Sequence, residues 1–398
     1  MLNGADPELK DNLVAVTINT DGTVKKADIY SEWYNYTNKT WANAVTLKDK
    51  SINYETNEVI PESNIDGYFV WIPRYKYEMF NEGNYTTATI VDSKPSTSTE
   101  QEIKIVFESK TTSKSSGSTV GSYLTHPAFT LGSVELNGIW VGKYETSGST
   151  TDIDVLPNVT SLRYINVKTM FDLAYNYDRS LDSHMMKNTE WGAVAYLSHS
   201  KYGINDEVRI NNSVTSTTGC SATTPALNYV GKSQTDHTEG YYNGCENAYN
   251  TPIGYLASTT GNISGIYDMS GGTYEYMASY RSNTYGSSGF DANSISNYDS
   301  KYFDVYPADS TVTSYNKRIL GDATGELGPF YFYVDSISGT RAWHTTWGND
   351  IVGFVEASNP WFIRGGSSGT GYWAGSFASR GDTGNSNNNL SFRLVLAE

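Results

Sequence analysis

The chain closes on "WFIRGGSSGTGYWAGSFASRGDTGNSNNNLSFRLVLA", residues 361–397. Its two ends are apolar and strand-like, while its middle is glycine, serine and asparagine. Aromatic and β-branched residues suit a pleated, buried surface, and the middle carries turn formers. The pattern therefore describes a polar loop held between two strands, not a frayed tail. Gly365, Gly366 and Gly384 permit backbone crossings that a Cβ would obstruct. Phe377, Phe392 and Leu394 are the expected core anchors. Between them Ser367, Ser368, Thr370, Tyr372, Trp373, Ala378, Ser379, Arg380, Asp382 and Thr383 are expected to point outward, with Ile363 joining them. Tyr, Trp and Arg are frequent binding hot spots, and short polar side chains supply adaptable hydrogen bonds.

Upstream, short strands are expected at "GIYDM", "TYEYM", "YFYVDSI" and "IVGFV". Two helices are readable. "NVKTMFDLAYNYD" places Val167, Phe171, Ala174 and Tyr175 on one face. "MKNTEWGAVAYLSHS" offers Asn188 as N-cap, Glu190 in the first turn, and an apolar face of Trp191, Val194 and Ala195. "GYFVWIPRYKYEMF" (67–80) and "ELNGIWVGKYETS" (135–147) read as strands, and Asp21-Gly22 as a hairpin turn. The expected fold is α+β, with two helices, short antiparallel strands and long loops. A small N-terminal β unit occupies 1–61 and the main domain 62–398, with a low-complexity insertion at 92–122.

A net charge of −15 disfavours phosphate backbones, so nucleic acid is not an expected partner. No apolar run approaches the ~20 residues of a membrane span, and "MLNGADPEL" does not read as a signal peptide. The 32 tyrosines and 9 tryptophans suit a surface built for contact.

Cys220 and Cys245 are the two cysteines, and the sequence leaves a disulfide and a pair of free thiols equally open. The histidines at 126, 184, 199, 237 and 344 lack metal-ligand spacing. His199 is expected on the surface or at a helix cap, and His126 and His344 as packed structural residues. Asp268 and Glu275 are expected to satisfy buried arginines such as Arg364 or Arg393. "DGT" and "NISGIYD" offer oxygen ligands for a structural Ca²⁺. No other cofactor is expected.

Taken in order, "YFVWIPRYKYEM", "HPAFTLGSVELNGIWVGKYETS", "LPNVTSLRYINVKTMFDLAYN", "MMKNTEWGAVAYLS", "GNISGIYDMSGGTYEYM", "WFIRGGSS" and "LSFRLVLA" resemble the C-type lectin fold of the formylglycine-generating enzyme type. The chain departs from that pattern with Gly272 and Tyr274 in place of Asn and Trp, and with Ser391 in place of Gly. Enzymes of the family carry a catalytic cysteine pair after the Tyr-Asp-Met block. Here nothing after Met269 is cysteine, so no enzymatic activity is expected.

The closing stretch also resembles the variable region of diversity-generating retroelement proteins, which a reverse transcriptase rewrites at adenines. Arg364-Gly365-Gly366, Ala374-Gly375-Ser376-Phe377, Gly384 and Phe392-Arg393 follow that spacing. Randomised asparagine codons cannot yield Lys, Glu, Gln, Met or Trp. Between Gly365 and Ala397 there is no Lys, Glu, Gln or Met, and Trp373 is the exception. The resemblance implies a variable region at 363–391 and a ligand-binding protein on a bacterial cell or phage particle, with a formylglycine-generating-type oxidase or related enzyme, or a purely structural surface or tail module, as the alternatives. Its partner would be a protein or glycan on a target surface.

Overall fold

The computed structural model describes residues 4–80, 102–224, 242–308, 319–324 and 342–397, with backbone also at 89–90 and 331–334. The expected strand continuation at 335–337, His237 and the 92–101 part of the insertion lie outside the described residues, as does the side chain of His344. The elements that position the C-terminal stretch are β1 (Val14–Ile18), β2 (Val24–Lys26), β3 (Asn43–Leu47), β4 (Ile65–Pro73), β5 (Gly138–Gly142), α1 (Val167–Asn176), β6 (His184–Met185) and α2 (Asn188–Ser198). They continue with β7 (Tyr274–Arg281), β8 (Asp304–Tyr306), β9 (Ile351–Val352), β10 (Trp361–Gly365), β11 (Gly375–Asp382), β12 (Leu390–Phe392) and β13 (Leu394–Leu396). The architecture is α+β. Among the described residues no helix is long and apolar enough to cross a membrane.

One sheet runs β6-β13-β5-β4-β3-β1-β2, antiparallel throughout. β4 lies inside it and has cover on both faces, so Tyr68, Phe69, Val70, Trp71 and Ile72 are all buried. That is why its sequence is a continuous apolar run, not an alternating one. The expected boundary near residue 62 falls between β3 and β4, which pair from Asn43 opposite Val70 to Leu47 opposite Ile65. The N-terminal strands therefore extend the sheet that also carries the closing strand β13.

The second sheet is built around β7. β10 pairs antiparallel along one edge of β7. β12 and β8 pair parallel at 274–276 and 279–281, sharing the other edge. β11 pairs antiparallel with β10, and β9 adds parallel to β11 at Val352 opposite Ser379. The chain's last segment thus feeds both sheets, β12 into the second and β13 into the first.

The helices form where periodicity placed them. Asn166 caps α1, its Oδ1 accepting from the Thr169 N–H at 3.0 Å. Val167, Met170, Phe171 and Ala174 are buried there, while Tyr175 is half-buried. In α2 every residue from Asn188 to Ser198 is buried. Its cap lies one residue before the expected Asn188. Lys187 holds the cap position, and its N–H donates to Glu190 Oε2 at 2.8 Å. A buried helix end cannot use water, so the Thr189 N–H finds Asp304 Oδ2 at 2.8 Å.

Candidate ligand-binding surface at the C-terminus

The surface begins at a double glycine crossing. Gly365 and Gly366 sit at φ +80° and +77°, a region L side chains rarely adopt. A Cβ on Gly366 would lie 2.6 Å from Ala374 Cβ, so the two arms of the loop touch there. Gly384, at φ +87°, passes equally close to Ser288 and Trp361.

The floor beneath is apolar and hydrogen-bonded. Trp191 of α2 donates from Nε1 to the Ser376 carbonyl at 2.7 Å, fastening β11 to the helix. Asp350 Oδ2 accepts from the Phe377 N–H at 2.8 Å. Phe377, Phe392 and Leu394 are buried, as expected of anchors. Arg364 is buried over the Trp191 ring and donates to the carbonyls of Ala323, Asp322 and Ser376. The expected carboxylate partner thus holds for Arg393, which pairs with Glu275, and not for Arg364.

The outward list divides. Ser368, Thr370, Tyr372, Arg380, Asp382 and Thr383 are half-exposed. Ile363, Ser367, Trp373, Ala378 and Ser379 are buried, against expectation. The cause is tertiary. β11 lies between β10 and β9, and the 3-10 segment Ser368–Trp373 folds back over it. Trp373, Ile351 and Ala378 form a small apolar cluster with Tyr372 packed against it, so both faces of β11 are covered near Ala378. Alternation fails as a guide wherever both faces of a strand are covered.

Several half-exposed residues are also tied down. Thr370 Oγ1 accepts from the Ser367 N–H and donates to Tyr274 Oη, both at 2.9 Å. Asp382 accepts from the Tyr276 hydroxyl, and burial together with Asp382 pushes that phenol well up.

The far side of this surface lies within the expected 363–391 region, but its supports Arg163 and Tyr164 are not among the expected residues. Asn385, Ser386, Asn387 and Asn388 are exposed, and their backbone is held by Arg163 and Tyr164. Arg163 Nη1 donates to the Asn388 carbonyl at 2.8 Å and to Ser216 Oγ at 3.1 Å. The Tyr164 N–H donates to the Asn387 carbonyl at 2.9 Å. Tyr164 sits at φ +62°, rare for a bulky residue, and is 64% exposed. No composition signal points to a tyrosine in that conformation.

The other candidate groups are structural in their contacts. Glu275 and Asp268 share a buried cluster with Glu145, facing Arg393. Burial and the two neighbouring carboxylates push Glu145 well up. Asp268, the carboxylate of "NISGIYD", accepts from Asn211 Nδ2 and the Gly219 N–H. Among the described residues no group of three or more His, Cys, Asp or Glu side chains is placed to hold a metal. His199 is the C-cap of α2 but is buried against Trp347 and Phe377, not on the surface, and burial lowers it to about 4. His126 is buried among Tyr75, Tyr77, Phe129 and Tyr196, and burial lowers it to about 3. His184 bridges the Asp182 carbonyl and Glu190 Oε1 at 2.7 and 3.0 Å. Cys220 and Cys245 are joined as a disulfide, with Cα atoms 5.3 Å apart.

The molecule is an α+β protein with a glycine-crossed C-terminal surface pinned across two sheets. No protein-family model matches the chain, and no curated protein matches it. Among solved structures it is similar to "Major Tropism Determinant I1 Variant", at 13% sequence identity and a TM-score of 0.34, covering 100% of this chain and 86% of that one.

Proposed function

We propose that this chain is a ligand-binding protein of a bacterial cell surface or phage particle, with a diversified C-terminal site on a C-type lectin-like fold of the formylglycine-generating enzyme type. One observation carries the reading. The stretch from Trp361 to Ala397 is clamped at both ends into sheets while Ser368–Tyr372, Arg380–Thr383 and Asn385–Asn388 reach solvent. A rigid floor under exchangeable Tyr, Arg, Asn, Ser and Thr side chains suits recognition of a protein or glycan on a target surface. The net charge of −15 argues against a nucleic-acid partner.

Nothing in this reading requires a cofactor or an enzymatic step. Both cysteines are engaged in one disulfide that precedes Met269, which supports binding over thiol chemistry. Oxidation of a cysteine-containing sulfatase peptide, lost in Cys220→Ser, would reverse that preference.

Two experiments test the proposal. The source DNA should carry, beside a reverse transcriptase gene, a near-copy of the 363–391 coding segment that differs at adenines. If it carries neither, diversification fails. Separately, once a ligand has been captured from the target cell, replacing Ser368, Tyr372 and Arg380 together should abolish its binding while circular dichroism shows the fold retained. Undiminished binding by that variant would put the site elsewhere.

A further inference from the structure

A second site lies outside the C-terminal surface, between the segment Asp6–Leu9 and the loop Ile29–Tyr34. There the surface forms an open pocket of about 430 Å³ lined by Asp6, Leu9, Tyr30, Glu32, Trp33 and Tyr34, among others. That volume lies in the range of small-ligand sites. Among the described residues its lining holds two carboxylates and no cationic side chain.

The walls are fixed. Tyr34 Oη donates to Asp6 Oδ1 at 2.5 Å, tying the two segments together. The rings of Trp33 and Tyr34 meet edge to face, with centroids 5.2 Å apart. Asn35 Nδ2 donates to Glu32 Oε1 at 3.0 Å, orienting that carboxylate. The loop itself is folded by Asp28, which accepts from the Tyr30 N–H at 3.0 Å. Tyr30 stands at the rim, 95% exposed. Its ring is therefore free to lie against a ligand held in the pocket.

We propose that this pocket receives a primary ammonium group on an apolar stem, the chemistry of a lysine side chain presented by a partner protein. Aromatic faces attract a cation, and the stem can lie along Leu9 and the Trp33 ring. Each carboxylate offers about four acceptor positions, so Asp6 and Glu32 can take ammonium protons beside the hydrogen bonds already named. A quaternary ammonium could not use those acceptors, and a carboxylate ligand would be repelled.

The test uses the full chain and two isosteres, N-acetyl-lysinamide and N-acetyl-norleucinamide, titrated with saturation-transfer NMR as the readout. The lysine probe should bind saturably, weaken as salt rises, and exceed the neutral probe by about tenfold or more, the loss of roughly one charge contact. Glu32→Gln should lower its affinity by a similar factor, and Tyr30→Ala several-fold. Both positions are exposed or at the rim, and unchanged melting verifies each variant's fold. Absence of saturable lysinamide binding, equal binding of the norleucine probe, or full affinity in Glu32→Gln would each overturn the assignment.

Discussion

Glu275 and Arg393 meet side by side in the core. Arg393 Nε donates to Glu275 Oε2 at 2.9 Å, and Nη2 donates to Oε1 of the same carboxylate. Both side chains are fully buried. The remaining guanidinium donors reach the carbonyls of Gly142 at 2.8 Å and Tyr267 at 3.0 Å. One side chain on the closing segment thus ties β5, β7 and the 261–277 block together. Removing it leaves buried acceptors and a carboxylate without a counter-charge. Arg393→Met should destabilise the fold by roughly 3–5 kcal/mol in denaturant unfolding. Glu275→Gln keeps a hydrogen-bonding group and should cost less than Arg393→Met.

The division of the C-terminal surface into buried and exposed residues can be read by truncation. Trp373→Ala empties the cluster with Ile351 and Ala378 and should cost about 3 kcal/mol or more. Asn385→Ala lies on the exposed loop and should stay within about 0.5 kcal/mol. Equal effects in urea unfolding would mean that Trp373 faces solvent after all.

Two glycines separate backbone strain from crowding. A Cβ at Gly371 meets nothing within 4 Å but would sit at φ +61°. With ψ at −136° this is a conformation that only glycine adopts readily, so alanine there should cost about 1–3 kcal/mol from backbone strain alone. Gly366→Ala adds a clash with Ala374 at 2.6 Å and should cost distinctly more. Melting temperatures of the two variants, measured side by side, give the comparison.

Acid should destabilise the fold through its buried histidines. His199 is lowered from 6.5 to about 4, and His126 from 6.5 to about 3. In both cases the unfolded chain takes up the proton first. Their contribution is therefore complete above pH 6.5 and falls as pH drops through the folded values, by up to about 1.4 kcal/mol per pH unit for each histidine. Glu145 acts in the opposite sense. Its raised value makes its contribution greatest at low pH and lost as pH rises. The difference between the wild-type and His199→Gln unfolding free energies, followed from pH 7 to 4, should carry the histidine slope.

The Cys220–Cys245 bridge closes a loop with a sequence separation of 25. Reduction should lower stability by about 3 kcal/mol, read as a drop in melting temperature with reductant. An unchanged melt would show that the bridge contributes little.

Features that depend on near neighbours were legible in the residues alone. α1 and α2, the apolar run of β4, the glycine crossings and the anchors Phe377, Phe392 and Leu394 all follow from periodicity and residue type. Spacing cannot say what lies on top of a strand or under a helix. Long-range packing turns Trp373 and Ala378 inward beneath a folded-back 3-10 segment and buries Ile363 and Ser379 along β10 and β11. It also directs the donors of Arg364 to carbonyls while Arg393 takes Glu275. The asparagine loop's support came from Arg163 and Tyr164, more than 200 positions away, as with the 225-residue reach to the Asn388 carbonyl. The physical reason is the same each time. Local pattern fixes which residues prefer burial, but long-range pairing fixes which faces and donors are left for water.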